Sequence, residues 1–267
     1  MNKELVVKKT AEVCEWWIDQ RLNKIRKQQI ETMSINPFLV PLIAGIHGLE
    51  TNRTIGEYLI IGHLLTGYNT GFGKLVDEKL LPKVFGTAKL DRKYRSQQGL
   101  THACFDDIDH VVIKGGQVTL LSLKAGRWTI QLGQAVNLNH SFAEIQESFG
   151  GKINNILVGC YYGTREGLSD KYDILRGVNR GAKHDVEDLT GFVDVKAGLK
   201  FWEWLGDEPS TQEWVLEGFL AGISNHRAQI QSTLEHFEEL VDSVARLLGP
   251  EGPSDNQGQS LLRRINS

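Results

Sequence analysis

Nowhere in this 267-residue chain is there a run of about 18 uncharged apolar residues, so the sequence offers no membrane-spanning helix. Cysteine is scarce. Cys14, Cys104 and Cys160 are odd in number and far apart, which argues against a disulfide framework and suits reduced thiols. Positive charge is not in excess either: 30 Lys and Arg stand against 33 Asp and Glu, a net charge of −3. Any attraction to nucleic acid must therefore come from a local basic surface rather than from the whole molecule. The opening stretch MNKELVVKKTAEVCEWW has acidic residues among its apolar ones and no small-residue cleavage site, so it does not read as a signal peptide. A cytoplasmic protein is expected. Internal repeats and sustained heptads are also lacking. What remains, 40% hydrophobic and 24% charged residues, is ordinary for a globular chain able to build a substantial core.

Along the chain, residues 2–31 read as an amphipathic helix carrying Val6, Val13, Trp17 and Ile25. Asn36-Pro37 and Pro41 interrupt it, and a second helix is expected over 72–84. Residues 86–103 are polar and loop-like. The period then changes. CFDDIDHVVIK (104–114) and QVTLLSLK (117–124), joined by Gly115-Gly116, read as a β-hairpin, because adjacent glycines supply the positive φ angles of a two-residue turn. A helix is expected over about 129–149, then a buried strand in NNILVGCYYG (154–163). Residues 163–200 look irregular and glycine-rich. Ser210 with Glu213 forms a Ser-x-x-Glu start for a helix or helix pair reaching Gly249-Pro250, after which GPEGPSDNQGQS reads as a linker and LLRRINS as a tail.

The hairpin carries the chemistry. With Gly115-Gly116 as the turn, facing positions sum to 231, so Asp109 faces Ser122 and Asp107 faces Lys124. Ser122 and Lys124 share a side-chain face, opposite Leu121 and Leu123. Two carboxylates, a hydroxyl and an amine thus gather on one face. Hydrolysis of a phosphodiester calls for such a set. A hard cation takes carboxylate oxygens and keeps water, the metal activates that water, and an amine steadies charge on phosphate. The same residues on a half-exposed hairpin also read as ordinary cross-strand ion pairs, and the hairpin alone does not separate the two.

Other motifs fall away. His102, Cys104 and His110 are candidate soft-metal ligands, but His110 would point to the face opposite Asp109 and no fourth ligand is evident. GFGK (71–74) lacks the glycine and hydroxyl spacing of a phosphate loop. No serine or cysteine has a legible His–acid partnership. Gln131 and Gln134 read as water-orienting groups or as a polar helix face. The six tryptophans read as packing anchors.

Helix, acid-and-lysine hairpin, helix and buried strand follow the core order of the PD-(D/E)XK nuclease fold. ETMSINPF (31–38), TGFGKLVDEKLLPKVFG (70–86), CFDDIDH (104–110), LLSLKAGRWTIQL (120–132) and SDKYDILRGVN (169–179) resemble the type II restriction endonucleases that cut RGGNCCY. The resemblance covers most of residues 1–220. It implies an α/β fold with a mixed sheet flanked by helices, Mg2+ as cofactor, a homodimer on palindromic double-stranded DNA, and 5′-phosphate products. An adjacent methyltransferase gene is the partner such a system implies. Asp109 then corresponds to the first metal-binding acid and Lys124 to the motif lysine.

Two departures stand out. Ile108 replaces the proline of the motif's name, and Ser122 replaces its second acid. In some restriction nucleases with Ser-x-Lys the missing acid comes from the following helix, about fourteen residues after the lysine, but here that position is Leu138. Asp107, Glu78 on the preceding helix and Glu144 on the following one are the candidate replacements, with a surface ion pair to Lys74 as the ordinary reading of Glu78.

For DNA, Lys171, Arg176, Arg180 and Lys183 cluster in a loop that follows a strand and suit guanine-rich base reading. Arg92 and Arg95 suit phosphate contacts. The expected organisation is an N-terminal helical region over 1–60 for dimerisation and DNA contact, a nuclease core over 61–205, and a C-terminal helical region over 206–267. A weakly specific repair nuclease of the same fold and a catalytically inactive DNA-binding protein are the competing readings.

Overall fold

A computed structural model of the chain describes residues 1–28, 35–126, 129–179, 181 and 183–249. Residues 31–34, Arg180 and the linker and tail from 250 onward lie outside them. Two compact units are present. One comprises Met1–Val13 and Gly73–Ala221, the other Cys14–Phe72 and Gly222–Ser267.

In chain order the elements are α1 (Lys3–Lys27), α2 (Leu39–His47), α3 (Asn52–Leu75), a π-helical turn (Val76–Leu80), α4 (Leu81–Phe85), β1 (Ala88–Lys89), α5 (Arg92–Gln98), a 3-10 turn (Ala103–Phe105), β2 (His110–Lys114), β3 (Gln117–Lys124), α6 (Leu132–Phe149), β4 (Asn155–Cys160), α7 (Lys171–Ile174), β5 (Val193–Ala197), α8 (Leu199–Gly206), α9 (Thr211–Asn225) and α10 (Arg227–Leu248).

The larger unit is α/β. Its five-stranded sheet runs β1-β2-β3-β4-β5, antiparallel across β1, β2 and β3 and parallel from β3 to β5. Gly115 and Gly116 make the expected tight turn, with φ of 54° and 82°. The register is the expected one: His110 pairs with Leu121 and Val111 with Leu120. The first strand is shorter than its sequence suggests. Residues 104–109 are taken up by the end of the 3-10 turn and a bend, so Asp107 is exposed outside the ladder and does not face Lys124.

On one face of the sheet, Val111, Leu120, Ile156, Val158 and Val195 pack with Leu138, Phe142 and Ile145 of α6. On the other, Phe201 of α8 lies so close to Gly159 that a Cβ there would meet its ring at 2.5 Å, with Leu121 at 3.0 Å. That glycine lets a bulky aromatic sit directly on the parallel strands.

The stretch 163–200 is more ordered than expected. VDVKA forms the edge strand β5, with Val193, Val195 and Ala197 buried. A five-residue alternation set among glycines is too short to stand out by period alone. In the second unit, Val241, Val244 and Leu248 of α10 pack against Ile25, Val40, Ala44, Ile55 and Ile60. Leu234 remains about half exposed, beside a cleft of about 340 Å³ that Ile61, Leu65 and Phe237 help to line. No described helix is long and apolar enough to cross a membrane.

Candidate active site

The chain before β2 places Asp109 at the junction of three segments. Its amide donates to the Leu121 carbonyl at 2.9 Å, and its own carbonyl accepts the Leu90 amide at 2.8 Å. Its Oδ2 accepts the Leu123 amide at 2.6 Å. The β2–β3 ladder ends at His110 and Leu121, so Asp109 lies one residue outside it and is joined to β3 through its amide and its side chain rather than by strand pairing. Burial is the main influence on its carboxyl and pushes the pKa up. The Leu123 amide and the Lys124 charge oppose that, and the nearby Asp77 charge adds to it.

Asp77 is the acid that sequence reasoning passed over in favour of Glu78. On a regular helix through 72–84, Glu78 lies off the apolar face formed by Phe72, Leu75, Val76, Leu80 and Val84. The π turn accommodates an extra residue, which rotates the succeeding turn by roughly 100°. Glu78 projects into solvent, while Asp77 is half-buried. The buried pairs Leu75-Val76 and Leu80-Leu81 are five apart, the spacing that the π turn between them requires.

Asp77 Oδ1 accepts from His110 Nε2 at 2.8 Å, and its Oδ2 forms an ion pair with Lys89. His110 is fully buried, and its Nδ1 lies 2.9 Å from Thr87 Oγ1. Burial alone would raise the Asp77 pKa. The bonds from His110 and Lys89 outweigh it and hold the carboxyl below the usual carboxylate range. Two carboxylates thus act on each other electrostatically while their surroundings drive them in opposite directions. One is tied and firmly ionised, the other reluctant to ionise.

Ser122 and Lys124 follow Leu120 on the α6 face, paired with Val158 and Cys160 of β4. Ser122 is completely buried, and its Oγ has no hydrogen-bond partner among the described residues. It does not reach solvent at the position where the resemblance expects an acid. Lys124 is partly exposed. Gln131 and Gln134 cap α6: the Gln131 amide donates to Gln134 Oε1 at 3.0 Å, and the Gln134 amide is bonded by the Gln131 side chain. That reciprocal box accounts for both glutamines. Leu138 is a core residue.

The basic residues separate into two groups. Arg95 donates to the carbonyls of Leu100 at 3.0 Å and His102 at 2.7 Å and pairs with Asp106 at 2.6 Å, so it ties down a loop. Arg176 donates to the Val193 carbonyl at 3.0 Å, and Lys171 pairs with Asp170. Arg92 and Lys183 are exposed. Arg180 lies outside the described residues.

A separate cluster joins His102, Cys104 and Glu144, whose ligand atoms lie within 4.8 Å of one another. Burial, followed by the Glu144 charge, pushes the Cys104 thiol up to about 11. None of the three cysteines forms a disulfide. The tryptophans act as anchors: Trp202 meets Phe85 and Phe201 and donates to the Tyr161 carbonyl at 2.8 Å, and Trp17 packs on Tyr68 and Phe72.

Comparison with known proteins adds no relative: no protein-family model matches the chain, and no curated protein matches it significantly.

Proposed function

We propose that this chain is a Mg2+-dependent endonuclease of the PD-(D/E)XK type, acting on double-stranded DNA as a homodimeric type II restriction enzyme. The observation that supports the reading is the Asp109 carboxylate bonded to the Leu123 amide, between Ser122 and Lys124 of the same strand, with the Lys124 charge acting on it.

The donor set suits the ion. Among described residues none hydrogen-bonds Asp109 Oδ1, and the partly buried carboxylate lies within the influence of a second acid, a combination that a hard divalent cation relieves. Asp109 would hold the ion, with Asp77 as the second carboxylate in place of the acid missing at Ser122. Bound there, Mg2+ supplies Lewis acidity and a water of lowered pKa. The chain's own residues do the rest. The Leu123 amide orients the Asp109 carboxylate, Lys89 and His110 keep Asp77 ionised, and the Lys124 ammonium offers positive charge to a phosphate oxygen. Arg92 and Lys183 are the exposed cations that would meet the DNA backbone.

One observation favours a second reading. Both Asp77 oxygens are already engaged, which suits a protein that binds DNA without cutting it. A single experiment separates the two. The untagged protein is incubated with a supercoiled plasmid carrying several RGGNCCY sites, with Mg2+ and with chelator. Discrete fragments that require Mg2+ support the nuclease. Intact plasmid that nonetheless shifts on a gel supports DNA binding alone.

A further inference from the structure

We propose that His102, Cys104 and Glu144 form a binding site for a borderline divalent transition-metal ion of the zinc class, separate from the Asp109 site. Three features carry it.

The first is the set of atoms. One imidazole nitrogen, one thiol sulfur and one carboxylate oxygen converge within 4.8 Å of one another, and His102 Nδ1 lies 3.2 Å from Glu144 Oε1. Metal–ligand bonds of about 2.0–2.3 Å in a tetrahedron put neighbouring ligand atoms roughly 3.3–3.8 Å apart, so an ion needs only small side-chain adjustments here. A sulfur and an imidazole also select zinc, cobalt or nickel over magnesium.

The second is that two of the three ligands are held before any ion arrives. His102 and Cys104 lie two residues apart at the 3-10 turn, whose path is clamped by Arg95 through the His102 carbonyl and Asp106. The His102 ring stands edge-on to Phe149 at 5.8 Å, and Phe149 stands edge-on to Phe105 at 4.9 Å. Cys104 is 2% exposed, fixed from below, while Glu144 reaches in from α6.

The third is access. His102 and Glu144 are exposed, so an ion can enter and a fourth position remains open to water. Three protein ligands and one open position are the pattern of a reactive or exchangeable site rather than a closed structural one. Ordinary hydrogen bonding of His102 and Cys104 to Glu144 would satisfy the same groups, and the experiment must tell that apart from coordination. An ion bound here would also link the turn five residues before Asp109 to α6.

The test is a Co2+ titration of the untagged full-length protein after chelator treatment and dialysis, followed by near-ultraviolet and visible absorption. The expected result is a thiolate-to-cobalt charge-transfer band with tetrahedral d–d absorption, saturating at one ion per chain. One equivalent of Zn2+ should displace the cobalt, and millimolar Mg2+ should not. His102→Ala and Glu144→Gln change exposed side chains and should each weaken binding at least tenfold. Cys104→Ser, with its fold checked by circular dichroism, should abolish the charge-transfer band. Asp109→Asn should leave the titration unchanged. Absence of a thiolate band with micromolar protein at one equivalent of Co2+ overturns the proposal, as does a band that survives Cys104→Ser or is unaffected by both His102→Ala and Glu144→Gln.

Discussion

Asp109 and Leu123 are joined side chain to backbone, the Asp109 carboxylate accepting the Leu123 amide at 2.6 Å. The bond ties the residue that begins the hairpin to the strand carrying Ser122 and Lys124. Asp109→Asn can keep it, because the amide oxygen is an equal acceptor. That substitution also removes a charge that burial and Asp77 disfavour. Asp109→Asn should therefore be more stable than the natural protein at neutral pH by ~0.5–2 kcal/mol, the usual gain when a functional strain is relieved. Asp109→Ala strands the Leu123 amide and should be less stable by about 1–3 kcal/mol. Urea melts of the three proteins check the order. Equal loss from both variants would show that the bond and the charge do not compete as described.

Asp77 and Glu78 should separate cleanly. Asp77→Asn loses the ion pair with Lys89 and weakens the bond from fully buried His110, with an expected cost of about 1–3 kcal/mol. Glu78→Gln, at an exposed position, should stay within about 0.5 kcal/mol. The sign with pH comes from the direction of each shift. Asp77 is held below its ordinary pKa, so its contribution is full above that value and fades as pH falls through the lowered one. The gap between natural protein and Asp77→Asn should be flat near neutrality and close below about pH 4. Asp109 has the opposite sign. Its raised pKa favours folding while protonated, and that benefit is lost as pH rises through the raised value.

Much of this architecture is legible in the sequence. Gly115-Gly116 set the hairpin register, and strand alternation then put Ser122 and Lys124 on one face. The features that were not legible depended on non-local packing. Asp77 rather than Glu78 is the engaged acid because its partners His110 and Lys89 come from elements 33 and 12 residues further along the chain. Asp107 left the hairpin because the 3-10 turn ends just before it. Arg95 and Arg176 looked like DNA ligands because charge is visible in a sequence, whereas the carbonyls they bind are not. Glu144 joined His102 and Cys104 only through the packing of α6 on the 3-10 turn, at a separation of forty residues or more along the chain.

Ser122 has a buried hydroxyl with no partner among the described residues. Ser122→Ala removes a polar group already stripped of water and should stabilise the protein by up to about 1–2 kcal/mol, leaving cleavage within about threefold. Ser122→Asp should instead destabilise, because a carboxylate at a fully enclosed position must be desolvated. Thermal melts and a plasmid assay check both. A large loss of cleavage in Ser122→Ala would return the hydroxyl to the catalytic set.

The basic residues give a third contrast. Arg92→Ala and Lys183→Ala should weaken DNA binding alike on all sequences and lower the salt dependence, as lost phosphate contacts do. Arg176→Ala should lose about 1 kcal/mol of stability through its bond to the Val193 carbonyl. Binding isotherms at two salt concentrations, paired with melts, distinguish the groups. A single-base loss of preference in Arg176→Ala at unchanged stability would make it a base reader instead.

The central claim is tested most directly by one assay of cleavage and binding on the same duplexes, using the natural protein, Asp109→Asn and Lys124→Ala with Mg2+ present. Each variant should cut at least on the order of 100-fold more slowly while binding the duplex with unchanged affinity, because Asn keeps the bond to the Leu123 amide, Lys124 is partly exposed, and each loss falls on the reacting phosphate. Cleavage at near-normal rates by either variant would contradict the assignment of Asp109 and Lys124 as the catalytic pair.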